Sequence, residues 1–294
     1  MAEPKKSVLL LIDVHALIHR FFHALPPLTT PEKEPIGAIY GLCGIVVKII
    51  RDQKPDYIAA CFDRPEPTFR DEMFKEYKIQ RAPAVDELIS QIKRTREVFE
   101  VFGIKGFEKA GFEADDIIGT LAEKFKTQTG VLILSGDNDL LQLVDDANGV
   151  RAQLIKTGLS ETVTYDEKAV EEKYGLKPTQ LPDYKALVGD TSDNIPGVKG
   201  VGPKTAQPLI KEFGTVEELF KSMGIIPEKT AKKFTGQEEI ALLSKKLAII
   251  RRDVPIEVTL EELKTPPLDK AKISAYFEKL GFRTLVERMN KNGN

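Results

Sequence analysis

Three short apolar runs set the pattern of the chain. Val8–Ile12 ends at Asp13, Tyr57–Phe62 ends at Asp63, and Val131–Leu134 is followed by Ser135, Gly136 and Asp137. Runs this short and nearly continuous predict strands buried on both faces. Between them apolar positions recur at helical spacing over roughly 14–24, 36–52, 84–102 and 113–128. Strands alternating with helices predict an α/β fold, a mainly parallel central sheet with flanking helices. The three acids Asp13, Asp63 and Asp137 then stand at the carboxyl ends of strands, the edge where open α/β sheets place their ligands.

The segment 64–85 interrupts this alternation. It is polar, holds Pro65 and Pro67 near its start, and carries Arg64, Arg70, Lys75, Lys78 and Arg81. An insertion of that kind beside a ligand-binding edge predicts a lid or binding loop. Beyond about residue 165 the strand pattern stops. The expected organisation is an α/β core over 1–185 and a helical region over 186–294, with no internal repeat.

Composition narrows the class. A chain with 41% hydrophobic and 30% charged residues reads as an ordinary soluble globular protein. No stretch approaches 18 uninterrupted apolar residues, which excludes a membrane-spanning helix. Val8–Ile12 is too short for the apolar core of a secretory leader, so the expected location is cytoplasmic. Cys43 and Cys61 lie in apolar surroundings without Cys-x-x-Cys spacing, and are expected as buried free thiols, neither a disulfide nor a zinc site. His15, His19 and His23 fall four apart. The position after the first holds no Glu, so they read as helix packing residues and not as a metalloprotease motif. A net charge of −2 argues weakly against a nucleic-acid partner, but Ile195–Lys211 holds Lys199, Lys204 and Lys211 and no acid.

The acids carry the candidate chemistry. Glu113, Asp115 and Asp116 open a helix, Asp137 and Asp139 follow a strand, and Asp190 and Asp193 sit in a polar turn. Each group alone has an ordinary reading as a helix cap, an Asx turn or a loop. With Asp13 and Asp63 they make nine carboxylates that are candidates for one cleft, three of them placed at strand ends by the predicted topology. Two such charges about 4 Å apart repel by roughly 4 kcal/mol at an effective dielectric near 20. Several pairs would threaten a typical stability of about 5–15 kcal/mol. Hard divalent cations remove that problem, and an all-oxygen donor set favours Mg²⁺ or Mn²⁺. Paired ions of this kind support phosphodiester hydrolysis.

A second motif points to a polyanion. Ile195–Ala206 joins two predicted helices with Gly197, Gly200 and Gly202, where backbone can approach a ligand closely. Pro203 opens the following helix, whose free N–H groups, with Lys204 nearby, suit a phosphate. This reads as a helix–hairpin–helix that grips a nucleic-acid backbone without reading sequence. The plain alternative is a glycine-rich interhelical turn.

These motifs together resemble the 5′-nuclease domain of bacterial DNA polymerase I and, more broadly, the flap endonuclease family. The resemblance rests on Leu11-Ile12-Asp13 with Phe22-His23-Ala24-Leu25, Phe62-Asp63, Tyr77-Lys78, Arg81-Ala82-Pro83, Glu113-Ala-Asp115-Asp116, Gly136–Leu140 and Gly189–Gly197 through Lys204-Thr205-Ala206, in family order over about residues 7–258. It implies a nuclease with two or three Mg²⁺ or Mn²⁺ ions held by Asp13, Asp63, Glu113, Asp115, Asp116, Asp137, Asp139, Asp190 and Asp193. It makes 64–85 a helical arch for the 5′ single strand, with Tyr77 stacked on a base and Lys78 and Arg81 at the scissile phosphate. Arg20, Arg70, Gly197, Lys199, Gly200, Gly202, Lys204 and Thr205 become DNA contacts, with K⁺ sometimes bound at the hairpin. The implied partner of this monomeric enzyme is DNA with 5′ flaps, nicks, 5′ ends or RNA–DNA junctions, in replication and repair. Three positions depart from the pattern. Val14 stands where Gly is usual, Asn138 where Lys is usual, and Pro208 inside the helix after the hairpin, where it should kink that helix. Two other classes compete: a non-catalytic DNA-binding module and an RNA-directed nuclease of the PIN-like class. The polar end Lys291–Asn294 suits either a stand-alone exonuclease or an excised domain.

Overall fold

A computed structural model describes residues 7–157 and 161–290; the polar end at 291–294 lies outside them. Its elements run β1 (Val8–Asp13), α1 (Val14–Ala24), α2 (Gly37–Gln53), β2 (Tyr57–Cys61), α3 (Phe69–Met73), α4 (Asp86–Phe102), β3 (Lys105–Phe107), α5 (Ala114–Phe125), β4 (Gly130–Ser135), β5 (Val150–Thr157), β6 (Glu161–Tyr165), α6 (Glu167–Tyr174), α7 (Leu181–Val188), α8 (Pro203–Phe213), α9 (Val216–Lys221), α10 (Glu228–Ala231), α11 (Glu238–Ala248), α12 (Lys270–Lys279) and α13 (Arg283–Asn290). The three apolar runs are β1, β2 and β4, the centre of a six-stranded sheet ordered β3-β2-β1-β4-β5-β6. All neighbours pair in parallel except β5 and β6, which are antiparallel.

Both faces of the centre are covered, as continuous apolar strands require. Along β1, Leu10 and Ile12 pack with α1, α2 and α4, while Leu9 and Leu11 pack with α5. Strands β3, β5 and β6 fall outside the expected set for the converse reason. β3 and β6 are the edge strands, where Lys105, Glu161 and Thr164 remain exposed, and in β5, second from the edge, exposed Arg151 breaks the apolar run. Cys43 and Cys61 are buried free thiols, as expected.

The expected division at 185 falls inside α7. Leu181 packs under β5, while Ala186 and Leu187 belong to a separate helical cluster with α8, α9 and Ala241. The end of the chain does not stay with that helical region. Ile250, Val258 and Leu263 return to the α5 face of the sheet, and Ile273, Phe277 and Leu285 complete the opposite core.

Candidate active site

Parallel register places the carboxyl ends of β1, β2 and β4 side by side, with Asp13 beside Cys61 and Ile12 beside Leu134. The chain leaves β1 toward β2 on one side and later returns to β4 on the other. That switch point opens a crevice at the strand ends. Asp13, Asp63, Glu113, Asp115, Asp137 and Asp193 line it, with His15, His19, Lys78 and Arg81, around a volume of about 470 Å³. Asp139 and Asp190 line an adjoining pocket of about 260 Å³ that shares Asp137. Eight of the nine acids are thus brought together.

Local structure fixes each one. Asp13 caps α1, accepting from the Ala16 N–H at 3.0 Å and from Ser135 Oγ at 2.5 Å. Ser135 in turn accepts from the Asp137 N–H at 2.9 Å, so one hydroxyl ties β1 to the turn after β4. Asp63 accepts from the Ala114 N–H at 2.6 Å, at the start of α5. Its own N–H donates to His15 Nδ1 at 3.1 Å, which requires a neutral imidazole; burial lowers the His15 pKa accordingly. His15 sets the backbone at Asp63, a role that spacing along the helix could not reveal.

The crevice is electrostatically unsatisfied. Burial, then repulsion from Asp63 and Asp137, outweighs the hydrogen bonds to Asp13 and pushes its pKa up to about 7. Burial with repulsion from Asp13 and Asp137 holds Asp115 well above the usual range. Asp139 rises to about 6, through burial and then Asp137. Cationic side chains offset part of this charge. Lys78 donates to Glu113 at 2.6 Å, Arg81 pairs with Asp193, and Lys185 bridges Asp139 and Asp190, the latter at 2.5 Å. Lys185, on α7, drew no attention in the sequence because nothing there joins it to the acids. Among the described residues, no three His, Cys, Asp or Glu side chains stand in ready ion-holding geometry.

Asp116 has a different place from the other acids. It is fully buried, and both oxygens are engaged by Arg70 at 2.7 and 2.8 Å. They also accept from the N–H groups of Glu113 (3.1 Å) and Arg251 (2.9 Å). Glu113 is the extended residue that caps α5 and turns to the crevice, whereas Asp116, inside the first turn, points into the protein. Arg70 is correspondingly no DNA contact in this structure. It is 2% exposed, and its guanidinium also donates to the carbonyls of Leu247 and Ile249, both at 2.9 Å. Tyr77 is also buried, at 5% exposure, with its hydroxyl between Glu113 and Asp193 at 3.3 and 3.2 Å, so its ring offers no face for a base.

Of the rest of the expected set, Lys199, Gly200 and Lys204 are exposed, Arg20, Gly202 and Thr205 are half-buried, and Gly197 is buried. Arg20 lies beside Gly136, and its guanidinium donates to the Lys156 carbonyl. Residues 189–202 connect α7 to α8, and 195–202 form the expected hairpin within that connection. Gly197 (φ +64°) is needed for packing, since a Cβ there would sit 2.4 Å from Gly189 N. Gly200 (φ +80°) and Gly202 face open space, and Lys199 and Lys204 are exposed. The three departures are absorbed. Val14 is buried in the core, away from the crevice. Asn138 accepts from Lys173, which restores a positive charge beside Asp137 and Asp139. Pro208 sits inside α8 without ending it, with Ala206, Leu209 and Ile210 anchoring the helix.

Comparisons with known proteins fit this layout. A 5′-3′ exonuclease N-terminal resolvase-like domain model matches residues 8–175, and a 5′-3′ exonuclease C-terminal SAM fold model matches 176–271. The chain is 41% identical over 294 residues to DNA polymerase I of Bacillus subtilis, covering 99% of this chain and 33% of that protein. It is 40% identical over 284 residues to DNA polymerase I of Caldicellulosiruptor bescii, covering 96% and 33%. The chain thus spans about a third of the length of these relatives. In fold it is similar to a zinc-bound T5 5′-exonuclease (TM-score 0.69, 23% identity, 82% and 89% of the two chains). It is similar too to flap endonuclease-1 from Methanococcus jannaschii (TM-score 0.62, 18% identity, 97% and 91%).

Proposed function

The chain belongs to the 5′-3′ exonuclease family, and from that premise we propose that it is a structure-selective nuclease that hydrolyses DNA at 5′ flaps, nicks and RNA–DNA junctions. The observation that carries the reading is the convergence of eight carboxylates with Lys78 and Arg81 at one sheet edge. The donor set is all oxygen, and three of its acids are pushed toward protonation by burial and mutual repulsion. That combination suits hard divalent cations, Mg²⁺ or Mn²⁺, two or three in number. Asp13, Asp63, Glu113, Asp115, Asp137, Asp139, Asp190 and Asp193 would hold them. When bound, such ions activate water and stabilise the entering and leaving oxygens of the phosphodiester.

The chain's own residues supply the rest. Lys78 and Arg81 place cationic groups over the crevice, where a scissile phosphate would exchange for the carboxylates they now pair with. Ser135 and His15 hold Asp13 and the Asp63 backbone in position. Lys199, Gly200, Gly202, Lys204 and Thr205 would grip the duplex backbone, and the hairpin carbonyls would hold K⁺. Arg20, at the edge of the crevice, is assigned to the same strand. The enzyme would act as a monomer in the cytoplasm; none of the described helices is long and apolar enough to cross a membrane.

The test is cleavage of a 5′-labelled flap duplex in Mg²⁺. Asp137→Asn should lower the rate at least about a hundredfold while leaving flap binding without added metal within a factor of about two. Undiminished cleavage by Asp137→Asn would overturn the mechanism, and binding without cleavage by the unaltered protein would favour a non-catalytic module.

A further inference from the structure

The tip of the hairpin assigned above to duplex DNA, Lys199 and Gly200, has little packing to hold its own shape. Val198 is tied to α7, its N–H donating to the Leu187 carbonyl at 2.8 Å. Val201 is buried in the same helical core, its N–H donating to the Val198 carbonyl at 3.0 Å, and the tip between these two anchors runs out into solvent. Lys199 and Gly200 are exposed, and no protein atom lies within 4 Å of where a Cβ would stand on Gly200 or Gly202. A loop that must present N–H groups to a phosphate needs a fixed backbone, because ordering it on binding costs about 1–2 kcal/mol per residue.

One side chain from outside the hairpin meets this need. Gln237 stands at the start of α11, and its Oε1 accepts from the Lys199 N–H at 2.8 Å. Its Nε2 donates back to the Lys199 carbonyl at 3.3 Å and to the Lys233 carbonyl at 2.6 Å. The primary amide thus treats Lys199 as a neighbouring strand would, satisfying both peptide groups at once. It fastens the loop to a segment 38 residues further along the chain. Gln237 itself is half-buried and carries no charge, so it adds nothing to the electrostatic attraction for DNA.

We propose that Gln237 is a positioning residue for the phosphate-gripping hairpin, holding the Lys199–Gly200 backbone in the conformation that receives a duplex phosphate. This rests on the nuclease reading and deepens it: grip on the duplex, as distinct from chemistry at the crevice, depends on an uncharged amide in α11. Loss of that amide should weaken binding through preorganisation, whereas loss of Lys199 should weaken it through charge.

The experiment compares the unaltered protein, Gln237→Ala and Lys199→Ala on two Mg²⁺-cleaved flap substrates, one with a long duplex and one whose duplex is too short to reach the hairpin. Gln237→Ala should raise KM on the long substrate roughly tenfold at unchanged kcat, from the two lost hydrogen bonds. The short substrate should be cleaved as by the unaltered protein, which doubles as the control for correct folding. The dependence of log affinity on log salt should keep its slope in Gln237→Ala and flatten by about 0.9 in Lys199→Ala. An unchanged KM for Gln237→Ala on the long duplex overturns the inference, and so does an equal loss on both substrates. Absence of cleavage by the unaltered protein overturns the nuclease reading itself, a result separable from either.

Discussion

Arg70 and Asp116 show how one side chain's surroundings decide its work. Four N–H groups of the guanidinium end on the two Asp116 oxygens and on the Leu247 and Ile249 carbonyls at the end of α11. Removing one partner of such a pair strands a buried charge, at a cost of about 3–5 kcal/mol. Arg70→Ala should therefore lower the unfolding free energy by about that much in urea denaturation, and Arg70→Lys should recover only part, because lysine lacks the planar fork. Asp137→Asn, at a half-exposed and crowded position, should change stability by less than about 1 kcal/mol while it stops cleavage. The acid triplet at 113, 115 and 116 could be read as a cluster, but which member turns inward depends on α3 and on residues 247–251, distant in sequence. The raised acids give a pH signature. A carboxyl whose folded pKa lies above its unfolded value contributes stability below the unfolded value, and that contribution is lost as pH rises through the folded one. For Asp13 this window runs from near 4 to about 7. His15 and His19, lowered mainly by burial, work in the opposite sense and lose stability as pH falls. The difference between samples with and without Mg²⁺ removes the histidine contribution. The rise in Tm on adding Mg²⁺ should be small at pH 5.5, where protons occupy Asp13, and clearly larger at pH 8. An equal rise at both values would mean that Asp13 does not compete for the ion.

At the scale of elements, the segment 64–85 was legible as a polar insertion beside the ligand-binding edge, although only Lys78 and Arg81 of its five basic residues reach the crevice. How it rests on the protein was not legible. Residues 76–81 lie against 191–194 through a set of reciprocal contacts. Lys78 (φ +53°) donates its N–H to the Asp193 carbonyl at 2.9 Å, and Asn194 (φ +55°) donates from its side chain to the Glu76 carbonyl at 2.6 Å. Arg81 reaches Asp193, Gln80 reaches the Thr191 carbonyl, and the Tyr77 hydroxyl donates to Asp193. Two left-handed non-glycine residues facing each other are costly unless the surrounding contacts hold them. No periodicity encodes such a docking, since neither segment is helix or strand. Asp193 is the common partner. Asp193→Ala should release the insertion, and trypsin should cut after Lys75, Lys78 or Arg81 several-fold faster than in the unaltered protein, with the core fragments otherwise intact. An unchanged cutting rate would show that backbone contacts alone hold the segment down.

For the whole molecule, the alternation of short apolar runs and helices was enough to place β1, β2 and β4 and hence the acidic edge. It was not enough to place residues 250–290, which read as part of a helix–hairpin–helix DNA-binding region and its C-terminal helices. They instead close the core of the α/β unit. Phe277 is fully buried, with its ring 6.2 Å from Phe102 and 6.1 Å from Phe282. Ile273 and Leu285 fill the same cluster as Val46, Phe99 and Ile12. An amphipathic helix announces that it has an apolar face, but not which of two cores receives it. The arrangement makes the end of the chain and the catalytic sheet one cooperative unit. Phe277→Ala leaves a cavity in that shared core and should cost about 3–5 kcal/mol. If the unit is single, the loss must register in the protection of β1 amides against hydrogen exchange as fully as in the helicity of α12, and both must fall in one urea transition. If α12 and α13 fold on their own, Phe277→Ala would loosen α12 while β1 kept its protection. The core would then be complete without the residues that this packing assigns to it.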